Sequence, residues 1–154
     1  MNKLVKELRS SIIEFQETLS NLPKDKVFFG DTKNCPVTNT FAEGMHIREI
    51  KIPKGIFAIG KIHLHQHVSF LLKGKMIMVD EENGRQIIEA PITVISKPGI
   101  KRAVYAIEDC VFTNVFSNPS NETNIDKLEK NNVVNTYEEY NLQLENKQLI
   151  KEKL

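Results

Sequence analysis

Residues 55–74 read GIFAIGKIHLHQHVSFLLKG. Three of the four histidines fall within five residues of this stretch, at His63, His65 and His67. Side chains alternate between the two faces of a strand. Extended backbone therefore puts Lys61, His63, His65, His67 and Ser69 on one face. Ile62, Leu64, Val68, Phe70 and Leu72 fall on the other, broken by Gln66. An exposed edge strand would alternate in the same way, but three imidazoles on one face are unusual for a solvated surface. Imidazole is also the commonest protein metal ligand and a ready acid or base.

Moving outward, glycine divides the chain into three parts. All seven glycines lie between Gly30 and Gly99. Glycine marks turns and bulges and is costly inside helices, so the middle is expected to be β and the ends helical or loose. Segments 45–52, 56–62, 66–72, 75–80, 86–89, 92–96, 102–107 and 110–116 are rich in Ile, Val, Phe, Met and Thr and read as short strands. Glu82-Asn83-Gly84 signals a hairpin. Repeated short strands without an intervening helical pattern indicate a sandwich or barrel. At the N-terminus Leu4, Leu8, Ile12, Phe15 and Leu19 recur at helical spacing, and Pro23 stops the helix. At the C-terminus Thr136 and Glu139 form a capping box that opens a final helix near residue 137, with a weak apolar face at Tyr140, Leu144, Ile150 and Leu154. The expected organisation is an amphipathic helix over 1–28, a β-barrel over 29–118, and a polar linker with a C-terminal helix over 119–154.

Composition bounds the partners. The 154 residues suit one domain. Lys plus Arg is 21 and Asp plus Glu is 20, for a net charge of +1, which argues against a long nucleic acid as partner. No apolar run approaches the roughly 18 residues of a membrane helix. Charge stands where a signal peptide would place its apolar stretch, and Cys35 and Cys110 cannot make a disulfide framework. The expectation is a cytoplasmic protein without membrane partners.

The central stretch resembles the first motif of the cupins, a family of small β-barrels, written G-x5-H-x-H-x3–4-E-x6-G. Gly55 and Gly74 match its glycines, and His63 matches its second histidine. Lys61 stands at the first histidine and His67 at the glutamate. In Lys97-Pro98-Gly99-Ile100-Lys101-Arg102, Gly99 matches the glycine of the second motif, P-x-G-x2-H, and Arg102 stands at its histidine. From about Pro36 to Glu129 the chain also resembles small cupin-like proteins commonly encoded by bacteriophages. Phe41-Ala42-Glu43-Gly44, Arg48-Glu49-Ile50, Ala90-Pro91 and Val104-Tyr105-Ala106-Ile107-Glu108-Asp109 carry that likeness. Phe116 takes the place of a histidine at the end of that run. The resemblance implies a mainly β, cupin-type double-stranded β-helix, a jelly-roll barrel, flanked by helices. In a phage-encoded protein the compartment would be the host cytoplasm.

A metal cupin holds its ion with three histidines and a carboxylate, and the matched positions here are Lys61, His63, His67 and Arg102. Lysine and arginine repel a metal ion, so a divalent transition metal would rest on His63, His65 and His67. The same positions read differently as an anion pocket. Arg48, Lys61, His63, His65, His67, Lys101, Arg102 and Tyr105 are its candidate residues, since a guanidinium matches phosphate or carboxylate oxygens bidentately. A nucleotide or sugar phosphate is the leading ligand class, and sequestration of a host nucleotide signal is one use for such a protein. The alternatives are a metal-dependent dioxygenase or isomerase, a metal-free sugar epimerase using His63 or His67 as base, or a structural virion or assembly component. The apolar face at Ile62, Leu64, Val68 and Phe70, with the terminal helices, suggests a homodimer. The charge balance then reads as a local positive pocket offset by acidic residues elsewhere, and Cys110 as a packed small hydrophobe.

Overall fold

The computed structural model describes residues 3–23, 27–28 and 33–152. Gly30 and Leu154, read above as a turn marker and part of a helix face, lie outside the described residues. The elements in order are α1 (Lys3–Ser20), β1 (Val27–Phe28), β2 (Val37–Ala42), β3 (Met45–Ile52), β4 (Phe57–Ile59), β5 (Ile62–His63), β6 (His67–Lys73) and β7 (Lys75–Asp80). They continue with β8 (Gly84–Glu89), β9 (Ile92–Ser96), β10 (Arg102–Ala106), β11 (Cys110–Ser117), α2 (Ile125–Asn132), β12 (Val133–Val134) and α3 (Tyr137–Glu152). No helix among the described residues is long and apolar enough to cross a membrane.

Two five-stranded sheets form the barrel. One runs β1-β4-β10-β7-β8 and the other β2-β3-β11-β6-β9. Strands distant in sequence lie side by side in both, and every pairing except β1 with β4 is antiparallel. This is the expected double-stranded β-helix. The inner faces meet over a core that includes Ile50, Ile52, Leu71, Met76, Met78 and Cys110. Cys110 is packed as expected, with its thiol donating to the carbonyls of Lys75 and Glu108.

The strand expectations for 45–52, 75–80 and 92–96 agree to the residue with β3, β7 and β9. The segment 56–62 instead splits into β4 and β5, and β5 leaves the main sheets to pair with β12. β1, β2, β12 and α2 are additional elements. The stretch expected as a polar linker therefore contains a helix and a strand. Asn124 caps α2 by accepting from the Lys127 amide at 3.0 Å, and Leu128 is its buried anchor. The capping box of α3 forms as expected: the Glu139 amide donates to Thr136 Oγ1 at 3.2 Å, and the Glu139 carboxylate accepts from the Thr136 amide.

α1 covers the outside of the first sheet. Phe15 meets Phe57 edge to face at 5.8 Å, and Leu19 packs with Ile59 and Ala103. A buried polar cluster joins the two ends of the chain. Glu81, in the turn after β7, accepts from Tyr137 Oη at 2.9 Å and from Arg9 at 3.5 Å, and its second oxygen accepts from the Lys101 amide. The Arg9 guanidinium also lies 3.9 Å from the centre of the Tyr137 ring. Burial and the Glu81 carboxylate raise the Tyr137 phenol well above its ordinary value, so it stays a donor. Glu81 is thus a buried structural carboxylate.

Candidate functional site

Register across the second sheet stacks its inward side chains into rows. Val37, Ile50, Phe112, Leu71 and Ile92 stand opposite one another in an apolar row. Two residues along each strand, Asn39, Arg48, Asn114, Ser69 and Val94 form a polar row. A further two residues on, Phe41, His46, Phe116, His67 and Ser96 form a row of rings ending in a hydroxyl. The first sheet faces them with Ala58, Met76, Met78, Arg102 and Val104. Between the sheets lies a cavity of about 190 Å³, lined by residues of all three rows.

The histidine stretch does not run as one strand. β5 ends at His63, residues 64–66 turn, and β6 starts at His67. The Gly99 amide donates to the His63 carbonyl at 2.9 Å, and the Leu64 amide to the Asn132 carbonyl at 2.8 Å, which hold the turn in place. The turn brings the His63 and His67 rings to 4.3 Å, both against Phe116 at 5.3 and 4.7 Å. His65 sits exposed in the turn and does not line the cavity, so the expected common face of three histidines is not formed.

Three histidines line the cavity, His46, His63 and His67, and burial lowers the basicity of all three. Burial above all, then His67, Arg102 and Arg48, pushes the His63 imidazole down to about 3. Burial and Arg102 push His67 down to about 4, against the opposing effect of its Nδ1–H donating to the His65 carbonyl at 3.4 Å. His46 is also lowered by burial and by Arg48, and its Nε2–H donates to Asn39 Oδ1 at 2.8 Å.

The charges are largely matched. Arg102 Nε donates to Asp80 Oδ2 at 3.4 Å, and its Nη1 donates to Ser96 Oγ. Ser96 passes the chain to Ser69, whose hydroxyl donates to Asn114 Oδ1 at 2.7 Å. Lys61 meets Glu129 at 2.7 Å, and Lys97 pairs with Glu82. The local positive pocket expected from the sequence therefore has carboxylates next to its cations: Glu129 is part of the lining, and Asp80 and Glu82 pair with Arg102 and Lys97 from outside it.

Of the remaining sequence candidates, Arg48, Lys61, His63, His67 and Arg102 line the cavity, and Lys101 and Tyr105 do not. Lys101 neighbours Arg102 and so faces the other way. It is buried, and its Nζ donates to the Asn135 carbonyl at 3.2 Å. Tyr105 is three residues from Arg102 on β10, hence on the outer face, where its ring meets Phe57 at 4.6 Å. Asn39, His46, Ser96, Asn114 and Phe116 also line the cavity, beyond the sequence candidates. Their parity on each strand was legible, but which strands pair was not.

α2 and β12 roof the cavity. Ile125, Leu128, Glu129, Asn132 and Val133 all line it. β12 pairs Val133 with His63 and Val134 with Ile62, so the roof is fastened directly to the strand that carries His63.

The residues do not fit the metal that the resemblance implies. Two imidazoles meet, the third is outside, and guanidiniums stand where further ligands would be needed. Among the described residues no group of three or more His, Cys, Asp and Glu side chains is placed to hold an ion. Acid–base work by the pair is also disfavoured. A base whose conjugate acid ionises near 3 or 4 is a weak proton acceptor at neutral pH.

No family model matches the chain, nor does any curated protein. Solved structures do resemble it. An RmlC-like cupin family protein with a double-stranded β-helix fold from Methanocaldococcus jannaschii is 19% identical, with 58% of this chain and 85% of that one covered and a TM-score of 0.48. KdgF from Halomonas sp. is 12% identical, covering 58% and 86%, with a TM-score of 0.49. The Schizosaccharomyces pombe Cnp3 cupin domain is 15% identical, covering 56% and 67%, with a TM-score of 0.47. At these identities and scores the likeness concerns the course of the chain alone.

Proposed function

We propose that this protein binds a small anion inside its barrel and does not turn it over. The observation that carries this reading is that two arginines from opposite sheets line one cavity. Arg48 on β3 and Arg102 on β10 both line one roofed cavity, and both act on the His63 ring. A guanidinium offers paired donors to oxyanions at low desolvation cost. The neutral His63 and His67 rings add hydrogen-bonding edges without charge, and Asn39 and Asn114 supply amides. The low basicity of the His63 and His67 rings favours this reading over a metal-free epimerase that uses either as base, and the donor set favours it over a metal-dependent oxygenase. A cavity of about 190 Å³ holds roughly six waters. Small anions therefore fit within it, whereas a nucleotide would have to leave most of its bulk outside the roof.

The outer face of β6 and β9 supports a second copy as partner. Leu72 and Ile95 are each 53% exposed there, alongside Val68 and Phe70. An exposed apolar patch of this kind marks an association surface. Sedimentation of the wild type against Leu72→Glu tests the homodimer, and equal masses at equal concentration would remove it.

For the anion, calorimetry with acetate and inorganic phosphate is compared between wild type and an Arg48→Gln, Arg102→Gln variant. Loss of a charged hydrogen-bond donor weakens binding by about tenfold or more. No heat with any anion, or an unchanged affinity in the variant, would overturn the reading.

A further inference from the structure

We infer that the ligand of this cavity is a small oxyanion that carries a hydrogen-bond donor of its own, because a row of N–H donors stands there beside a row of imidazole lone pairs. This rests on the anion reading above and goes further by naming the ligand's chemistry. A 2-hydroxy acid and a hydrogen phosphate both have it; an anion without a donor does not.

Hydrogen-bond direction fixes what the polar row offers. Arginine holds donors only, and Arg102 Nη1 donates to Ser96 Oγ. The Ser96 and Ser69 oxygens stand 3.1 Å apart, and Ser69 Oγ lies 2.7 Å from Asn114 Oδ1. One direction satisfies every member: Ser96 donates to Ser69, and Ser69 to Asn114. Turning the Asn114 amide round would put Nδ2 on Ser69 and leave one buried serine proton without an acceptor in the chain, which is costly. Asn114 therefore spends its oxygen on the chain and keeps Nδ2 for a ligand. Asn39 likewise spends Oδ1, on the Nε2–H of His46 at 2.8 Å. Both side chains line the cavity, in the row that also holds Arg48. Among the described residues nothing accepts from either Nδ2.

The ring row offers the opposite. A neutral imidazole has one N–H and one lone pair. His67 commits Nδ1–H to the His65 carbonyl at 3.4 Å, so its lone pair is on Nε2. His46 commits Nε2–H to Asn39, so its lone pair is on Nδ1. Both rings line the cavity, and burial keeps them uncharged at pH 7. The His63 ring stands 4.3 Å from that of His67, tilted by 45°, and among the described residues no donor reaches either lone pair. A bare anionic oxygen is repelled by such a nitrogen. A hydroxyl supplies the proton it lacks.

The two rows are two residues apart along each strand, which is about 7 Å. A hydrogen bond of about 3 Å at each end leaves a gap that one short molecule closes. Its charged oxygens meet the amides, and its hydroxyl meets His67. A 2-hydroxy acid carries these groups on adjacent carbons, and a hydrogen phosphate carries them on one phosphorus.

Calorimetry of the full chain at pH 7 tests this with two matched pairs, glycolate against propanoate and inorganic phosphate against sulfate. The donor-bearing member is expected to bind about threefold to tenfold more tightly, the worth of one hydrogen bond. Binding confined to one pair identifies the charged group and supports the donor rule. A bare anion that binds as tightly as its donor-bearing counterpart would overturn this inference and leave the anion reading standing. Silence from all four would remove both. Repeating the propanoate titration in buffers of different ionisation enthalpy counts protons, and uptake of one proton per anion would overturn the inference, because His67 would then be a donor. His67→Phe keeps a ring without the lone pair and is expected to bring glycolate and propanoate within about twofold of each other; a preference that survives would count against the assigned acceptor. Nitrogen NMR of the imidazoles in the wild type needs no variant. It is expected to show the Nδ1–H form of His67, and the Nε2–H form would overturn the inference.

Discussion

Lowering the pH from 7 to 5 protonates a histidine in the unfolded chain but not His63 or His67 in the fold. Their ordinary value is 6.5, and the folded values are about 3 and about 4. The sign follows from linkage. Both groups are depressed on folding, so the unfolded state binds more protons below 6.5, and stability falls as the pH drops from there towards 3–4. At pH 5 each ring alone costs about 2 kcal/mol relative to alkaline conditions. Water reaching the half-buried His63 reduces its share, so the pair together costs about 3 kcal/mol. For a chain of this size that corresponds to a fall in Tm of about 6–12 °C. Urea unfolding at pH 7 and pH 5 measures the loss, with a His63→Asn, His67→Asn variant as reference. The variant is expected to lack most of the pH dependence between 7 and 5. NMR titration of the rings gives an independent reading, with no midpoint above about 5 for either ring. Midpoints near 6.5, or the same acid slope in the variant, would refute the burial and guanidinium effects from which the shift is built.

Three further perturbations probe the frame around the site. Gly74 sits at φ +86°, where an added Cβ would press on the Asp109 backbone carbonyl and lie 2.9 Å from Cys110 Sγ. Gly74→Ala is therefore expected to cost more than about 2 kcal/mol in urea unfolding. Tyr137→Phe removes the closer donor from the buried Glu81 carboxylate and is expected to cost about 1–3 kcal/mol, with faster amide exchange in α3. Leu128→Ala empties the anchor of the cavity roof and is expected to cost about 2–5 kcal/mol. Its amide exchange should quicken over residues 125–134 more than in β3 or β11, and equal quickening throughout would mean that the roof and the sheets open together.

Much of the barrel was readable from local signals. β3, β7 and β9 are rich in Ile, Val, Met and Thr over five to eight residues, with burial alternating residue by residue in β7, and the Thr136–Glu139 box is a local device that works within one turn. α2 escaped because IDKLEKNN offers only Ile125 and Leu128 as an apolar pair. Its stability comes from packing over the cavity, a tertiary contribution. β2 escaped because Asn39 interrupts a short run and the strand-depleted Asn34 and Pro36 flank its start, although Asn39 turns inward beside Arg48. The expected triad of histidines failed on parity. Three residues in a turn break the period of two, and His65 leaves the face shared by its neighbours. Tyr105 and Lys101 fail for the converse reason. The strand holding Arg102 is regular, so residues one and three positions away must face outwards or into the protein on its other side.

What the sequence by itself determined is the local half of the architecture: β in the middle, helices at the ends, and an inward or outward face for each residue of a regular strand. These follow from backbone geometry within a few residues. Only the tertiary structure decided the site. Pairing β3 with β11, and β11 with β6, set Arg48 beside Asn114 and His67 beside Phe116. Closing the first sheet over the second brought Arg102 to the same cavity, and α2 adds Ile125, Leu128, Glu129 and Asn132 to its lining. The charge state was settled there too. An imidazole is a half-protonated switch in water and a neutral ring when buried with arginines nearby, because the cost of its charge depends on neighbours that the chain supplies from tens of residues away.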